Sequence, residues 1–493
     1  MSYTKIIKIN FRGGIISPGE LLNILAAAEQ CFIKDVSFGL RQQLFLEVDI
    51  ELEFRLITAL AALNIAYEVD ADNYPNVMSS YPAEEVFINN TWLSEGVYKD
   101  IFDLLDYEPK LKINISDSNQ SFTPLLTGNI NWVAAPGSSH FWYLFIRFPK
   151  TNTIFEWEEL VYTNDVAKVS KQIERLIFEN KELFYDQATA NGNALFELLG
   201  KENFNTQKAA FPAKLPAFNL PYYEGLNKYY DKYWLGIYRR DEMFSIEFLK
   251  DLCHLSLKTK LGQICATPWK TLMVKSIEEK DRPSWNALLE KHKINVRHAA
   301  NELNFQVEDA CKEALALKYY LLKNLHLEDM RTYGICIGIK TKKKTEVFSS
   351  ILVRRRTILR IGKYSLFNVY DILCAKDFNP NERTGFVYSM GNPKFLLGEQ
   401  LRRAIFSFYS HQLSNANVVT VKKPIEIAPK TKEETYVHQC QHCLSVYDEN
   451  ELSESLKIFP FEDLPIDYCC PLCEAPKTDF LLVGRLQLGL QVE

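Results

Sequence analysis

Two Cys-x-x-Cys pairs, Cys440–Cys443 and Cys470–Cys473, stand near the end of this chain with 26 residues between them. Each short loop can offer two thiolates to one ion, and two such loops complete a tetrahedron. Sulfur-only tetrahedral sites hold zinc or iron, and the spacing alone leaves both open. The alternative use of paired cysteines, disulfides, needs an oxidising compartment. The first residues, MSYTKIIKINFRGG, alternate charged and apolar positions and lack signal-peptide architecture. No apolar run approaches the roughly 20 residues that cross a bilayer. A cytoplasmic protein with no membrane partner is the expectation, and in a reducing compartment metal binding is the natural role for these thiols.

The residues around the pairs carry more information. Tyr447-Asp448, Phe461-Glu462-Asp463-Leu464-Pro465, Tyr468, Cys470-Pro471, Ala475-Pro476-Lys477 and Phe480 closely resemble rubredoxin over some 45 residues. The resemblance implies one iron on Cys440, Cys443, Cys470 and Cys473, cycling between ferric and ferrous states, with backbone N–H groups aimed at sulfur. So small a domain needs a staple; the metal would supply it, while Tyr447, Phe459, Phe461, Tyr468 and Phe480 fill an aromatic core. Rubredoxins usually place glycine after the second cysteine of each pair, where the backbone turns left-handed; here Leu444 and Glu474 occupy those positions. Cys469, beside a ligand but out of register, reads as a bystander. The competing reading of the site is a zinc ribbon in an interaction protein.

At 493 residues, 47% apolar and 24% charged, the chain has material for two to four domains. KIIKINF alternates like a half-buried strand, and Ser17-Pro18-Gly19-Glu20 has the form of a capping box opening a helix. VSFGLRQQLFLEV reads as the next strand and LEFRLITALAALNI as the next helix. The same order returns about 225 residues later in YWLGIY, the Ser245 cap, IEFLKDLCHL, QICATPWKTLMV and PSWNALLEKH, a spacing that points to duplication of a domain pair. The expected division is 1–80 and 226–300 as half-domain repeats, 81–225 and 301–421 as α/β regions, 422–435 as a Lys/Pro-rich linker, and 436–493 as the metal domain.

FRGGIISPGELLNILAAAEQ, GLRQQLFLEV, NVMSSYPAEEVF, YEPKLKINIS and ATPWKTLMV resemble, diffusely over about 1–420, the ferredoxin-like half-domains and siroheme region of nitrite and sulfite reductases. The expected fold class is therefore α+β: duplicated reductase-like α/β units followed by a small metal-bound β domain. The resemblance implies that Arg41, Lys110 and Lys112 match cations holding siroheme or an oxyanion. Alternation in PKLKINI would put both lysines on one strand face; the plainer reading is a solvated face plus a surface arginine. Other family positions depart: Pro75 and Cys265 stand where arginines are expected, and Phe305 replaces a cluster cysteine upstream of Cys311. Near Cys336 one cysteine remains where two are needed, so a [4Fe–4S] cluster is not expected.

Three functions follow. The first is an electron carrier, a rubredoxin module on a degenerate reductase-like body, with a redox donor or acceptor as partner and assimilatory nitrite or sulfite metabolism as the implied setting. The second is a siroheme reductase using the rubredoxin iron in place of its cluster. The third is the zinc-stabilised interaction protein. A net charge of −5 argues against nucleic acid. Residues 436–493 hold ten acids against three bases, about −7, which leaves about +2 for the rest. The basic runs around 342–356 read as a solvated face that could dock the acidic segment. His254, His292 and His298 show no ligand spacing, Cys31, Cys253 and Cys374 read as core thiols, and no nucleotide-binding glycine loop is present.

Overall fold

The structure is a computed structural model that describes residues 4–88, 91–185, 190–342, 347–361, 364–417, 436–448 and 460–484. Phe459 and the 422–435 linker lie outside them. The chain divides into two compact units, Met1–Ser414 and Asn415–Glu493.

In the body, the two repeats do not stand apart. Strand Ile15–Ile16 of the first repeat pairs with Ile264–Ala266 of the second, and Met243–Ser245 of the second pairs with Asp35–Phe38 of the first. This reciprocal exchange gives two five-stranded sheets. Their facing helices, Pro18–Gln30 and Ile246–Lys258, bury Leu21, Ile24, Leu25 and Leu249, Leu252, Cys253 in one shared apolar core. The segments 1–80 and 226–300 are thus halves of one structure. Ser245 accepts the Phe248 N–H as a helix cap, whereas the Ser17 side chain makes no capping bond.

The readings of 36–48 and 263–274 as single strands need correction. Each is a hairpin: Asp35–Phe38 turns back as Leu44–Asp49, and Ile264–Ala266 turns back as Leu272–Ile277. The turns are equivalent. Gln42 and Lys270 both adopt left-handed backbone, φ +65° and +57°, each N–H reaching back to Gly39 or Thr267. One turn therefore presents Arg41 and the other Trp269 at matching positions.

A seven-stranded mixed sheet, including Met78–Ser79, Ile113–Ser116 and Ile130–Ala134, follows the first repeat. A further five-stranded sheet runs from Phe305–Val307 to Gly385–Asn392, with helices Lys312–Leu327 and Lys394–Asn417 packed in its apolar core. In that sheet the arginine run is paired with acids of the chain itself. Arg354 and Arg356, two residues apart on one strand, both pair with the buried Asp371 across the ladder, and Arg355 pairs with Glu313. The Arg356 hydrogen bond leads in holding the Asp371 carboxyl down to about 2. Among the described residues, no helix is long and apolar enough to cross a membrane.

Candidate metal centre

The C-terminal unit is a three-stranded antiparallel sheet in which Tyr436–Cys440 lies between Val446–Tyr447 and Phe480–Gly484. Strand Tyr436–Cys440 delivers Cys440 at its end, and the chain then coils around the sulfur. Leu444 N–H donates to the Cys440 carbonyl at 3.0 Å, and Cys440 N–H donates to Ser445 at 2.9 Å. The second loop repeats this geometry: Glu474 N–H to the Cys470 carbonyl at 2.8 Å, and Cys470 N–H to Ala475 at 2.8 Å. Two equivalent loops thus face each other.

All four sulfurs lie within 4.8 Å of one another. Cys440 and Cys473 Sγ are 3.6 Å apart, Cys443 and Cys470 Sγ 3.4 Å. A tetrahedron with metal–sulfur bonds of about 2.3 Å has edges of about 3.8 Å, so the donors fit one sulfur-bound ion closely. Cys440 and Cys470 are buried, Cys443 is half-buried and Cys473 is exposed. The first thiolate of each loop is therefore shielded, and the second faces outward beside the exposed Leu444 and Leu472. Among the described residues this is the one group of three or more Cys, His or acidic side chains placed to hold a metal.

The Ser445 hydroxyl, 3.2 Å from Cys443 Sγ and 3.1 Å from Cys470 Sγ, bridges the two loops. It is the chief cause drawing the Cys470 thiol down to about 6, with the Leu472 and Cys473 N–H groups adding to it. The Ala475 N–H favours a Cys473 thiolate, but loss of water and three neighbouring sulfurs push that thiol up to about 12. A cation among them removes this mutual repulsion.

Four of the five expected core rings are in contact. Phe461 packs on Tyr447, Tyr468 and Phe480 with centroids 5.5, 6.2 and 5.2 Å away; Phe459 lies outside the described residues. The roles of three further contributors were not read from the sequence. His438 stacks on Phe461 at 3.9 Å, Lys477 donates to the Glu462 and Leu464 carbonyls while lying over Phe461, and Ser445 spans the sulfurs. The signal for His438 was its place two residues before Cys440 on a strand; Ser445 carried none.

Leu444 and Glu474 both take φ +61°, the left-handed backbone that costs a side-chain-bearing residue about 1–2 kcal/mol. Glycine's greater freedom when unfolded offsets part of that gain. Leu444→Gly and Glu474→Gly should therefore each stabilise the C-terminal unit by about 1 kcal/mol. The denaturant midpoint of the metal-bound unit measures this, and an unchanged or lower midpoint contradicts it.

The expected cofactor cations of the body are only partly gathered. Arg41 and Lys112 line one small cavity of about 40 Å³ with Gln306 and Phe348, whereas Lys110 is exposed and does not line it. The strand begins only at Ile113, so neither lysine lies on it. Arg41 is buried and spends its guanidinium on protein acceptors: the Asn76 carbonyl at 2.8 and 3.0 Å, the Ile113 carbonyl at 2.8 Å and Asn114 Oδ1 at 3.1 Å. The charges of Arg41 and Lys112 reach a carboxylate of the chain itself. With Lys8 they hold Asp72 below the usual carboxylate range, against the cost of its lost water.

A cavity of that size takes a water molecule and not a macrocycle. Phe348 closes it, its amide fixed to Gln306 Oε1 at 2.6 Å and its ring edge-on to Phe218. The residues present do not fit siroheme at this cavity. Cys265 is buried in its strand, the Cys311 sulfur sits 3.3 Å from the Thr341 hydroxyl, and Cys336 donates to the Phe348 carbonyl.

The fold and the site together define a mixed α/β body followed by a four-cysteine metal domain of the rubredoxin type. Residues 437–480 match the family model of rubredoxin. The chain is similar in fold to the solved structure of the Mycobacterium tuberculosis NirA protein, with a TM-score of 0.63 at 15% identity, covering 83% of this chain and 81% of that one.

Proposed function

We propose that the protein is a one-electron carrier whose rubredoxin-type centre binds iron, mounted on a body that keeps a reductase-like fold. The observation that supports it most is the convergence of four sulfurs within 4.8 Å on two equivalent loops. Iron held there would supply a ferric–ferrous couple; zinc would supply none. The protein's own contributions are a fixed sulfur cage, N–H and O–H donors aimed at sulfur, and an exposed edge at Cys473 through which electrons reach a partner. The −7 charge of residues 436–493 suits a redox partner with a basic surface. The body's likeness in fold to the NirA protein supports a setting in nitrite or sulfite metabolism, in which the chain would act as donor or acceptor to another protein. Tethering a weakly docking carrier to a second binding surface raises its effective concentration into the mM range.

Metal analysis and a visible spectrum of natively expressed protein test this. Stoichiometric iron and a red colour bleached by dithionite are expected. A colourless protein with stoichiometric zinc would assign the centre to structure and the chain to protein interaction. A tetrapyrrole spectrum with nitrite or sulfite turnover would restore the reductase reading.

Ser445 tunes the couple in this reading, because its hydroxyl stabilises the more negative, reduced sulfur set. Ser445→Ala should lower the reduction potential by roughly 30–60 mV, about 1 kcal/mol for one electron. Spectroelectrochemistry measures the change; a potential that holds or rises contradicts the role.

A further inference from the structure

Two lysines and two carboxylates converge where the second repeat meets the sheet that begins at Phe305–Val307. Lys270 comes from the left-handed turn of the second repeat, and Glu242 stands just before strand Met243–Ser245. Asp309 lies between strand Phe305–Val307 and helix Lys312–Leu327, and Lys318 is on that helix. Lys270 Nζ is 2.7 Å from Glu242 Oε2 and 3.6 Å from Asp309 Oδ1. Lys318 Nζ reaches the other Glu242 oxygen only at 3.9 Å and donates to the Tyr238 hydroxyl at 2.9 Å. Both lysine side chains are buried, 4% and 1% exposed.

This is a costly place for charge. Burial pushes the Lys318 ammonium down to about 8. Loss of water works against the Lys270 ammonium too, but Glu242 and Asp309 together hold it above its ordinary range. Burial also holds the Asp309 carboxyl above the usual carboxylate range, against the pull of Lys270. An ion pair taken out of water recovers its lost hydration incompletely, whereas an amide made from the same two groups carries no charge. Its formation leaves Glu242 to Lys318, one carboxylate for one ammonium. Asp309 is also held ready for attack. The Leu40 N–H donates to its Oδ1 and Oδ2 at 3.0 and 3.3 Å, and Gln43 Nε2 donates to Oδ2 at 3.5 Å. Such donors stabilise the oxyanion that forms when an amine adds to a carboxyl group.

We propose that Lys270 and Asp309 condense after folding into an intramolecular amide, a covalent staple between the second repeat and the sheet behind it. The Lys270 Nζ–Asp309 Cγ bond forms and one Asp309 Cγ–O bond breaks. Two protons of the ammonium pass to the departing oxygen, which leaves as water. Glu242, bonded to Nζ, carries them and ends as it began. The Asp309 side chain is 25% exposed, which gives that water a way out. No oxidant, cofactor or second substrate takes part; the fixed approach of the two groups drives the step. The proposal rests on neither the iron nor the electron-carrier reading, so either can fail alone.

The intact mass of the denatured full-length protein tests it, the chain being expected lighter than its sequence by one water. Trypsin should not cut after Lys270, and the digest should hold one branched peptide joining Lys270 to the Asp309 segment. Lys270→Arg and Asp309→Ala should each restore the missing water, and Glu242→Gln should slow condensation about a hundredfold, leaving freshly made protein largely open. The wild-type mass and the branched peptide need no variant, so a substitution that misfolds does not blur the result. Full sequence mass with ordinary cleavage after Lys270 overturns the proposal. So does a missing water that mild base restores and no branched peptide accompanies, the mark of a cyclic imide at an aspartate.

Discussion

Cys470→Ala should abolish the metal and unfold the C-terminal unit while Met1–Ser414 keeps its own cooperative transition. The reason is that the ligands are the core. Among the described residues, the buried cluster around the sulfurs consists of Cys440, Cys470 and Ala475, with Cys443 and Phe480 packed against it. The rings around Phe461 form a thin shell, and a three-stranded sheet of this size buries too little surface to fold unaided. Metal binding in small four-ligand domains supplies about 10–16 kcal/mol of apparent free energy, far above the few kcal/mol such a shell contributes. Removing one buried thiolate forfeits most of that. Hydrogen exchange should show the amides of Tyr436–Cys440 and Phe480–Gly484 losing protection while the body's strands retain theirs. Persistent protection of the C-terminal strands in the metal-free variant would show that the sheet stands without its staple. Zinc reconstitution of the wild-type chain separates two roles: protection should return, and dithionite-sensitive colour should not.

How much of this was legible beforehand depends on how local each feature is. The metal centre was readable because its four ligands lie in two four-residue loops, and because the left-handed positions at Leu444 and Glu474 follow from the loop itself. The order of strands and helices in 1–80 and 226–300 was readable from periodicity. The strand exchange was not: Met243–Ser245 pairs with Asp35–Phe38, two hundred residues away, and short strands carry no signal naming a partner. Periodicity also passed over the tight turns at Gly39–Gln43 and Thr267–Thr271, because the left-handed residues there are Gln42 and Lys270 and not glycine. The pairing of the arginine run was hidden for a related reason. Asp371, which pairs with two of its members, lies on the adjacent strand, invisible to a count of neighbouring charges. Arg41 is the sharpest case. Its position matched a ligand-binding arginine, but its acceptors are mainly backbone carbonyls, which have no sequence signature.

That contrast can be measured. Arg41→Met should destabilise the body by about 3–5 kcal/mol, because it removes the guanidinium donors to the buried Asn76 and Ile113 carbonyls and to Asn114 Oδ1. An arginine kept to hold a cofactor or an oxyanion behaves in the opposite way: with the ligand absent, its removal relieves repulsion and leaves stability level or raised. Lys112→Met supplies the reference. Lys112 shares the cavity but is only partly buried, and its main-chain bonds to Asn129 survive substitution. It should shift stability by less than about 1 kcal/mol. Denaturant unfolding of the body, followed by tryptophan fluorescence, reads both variants on one scale. A large loss for Arg41→Met beside a small one for Lys112→Met identifies Arg41 as a clamp between the first repeat and the neighbouring sheet. Equal, small effects would return it to the ligand-binding role that its position implied.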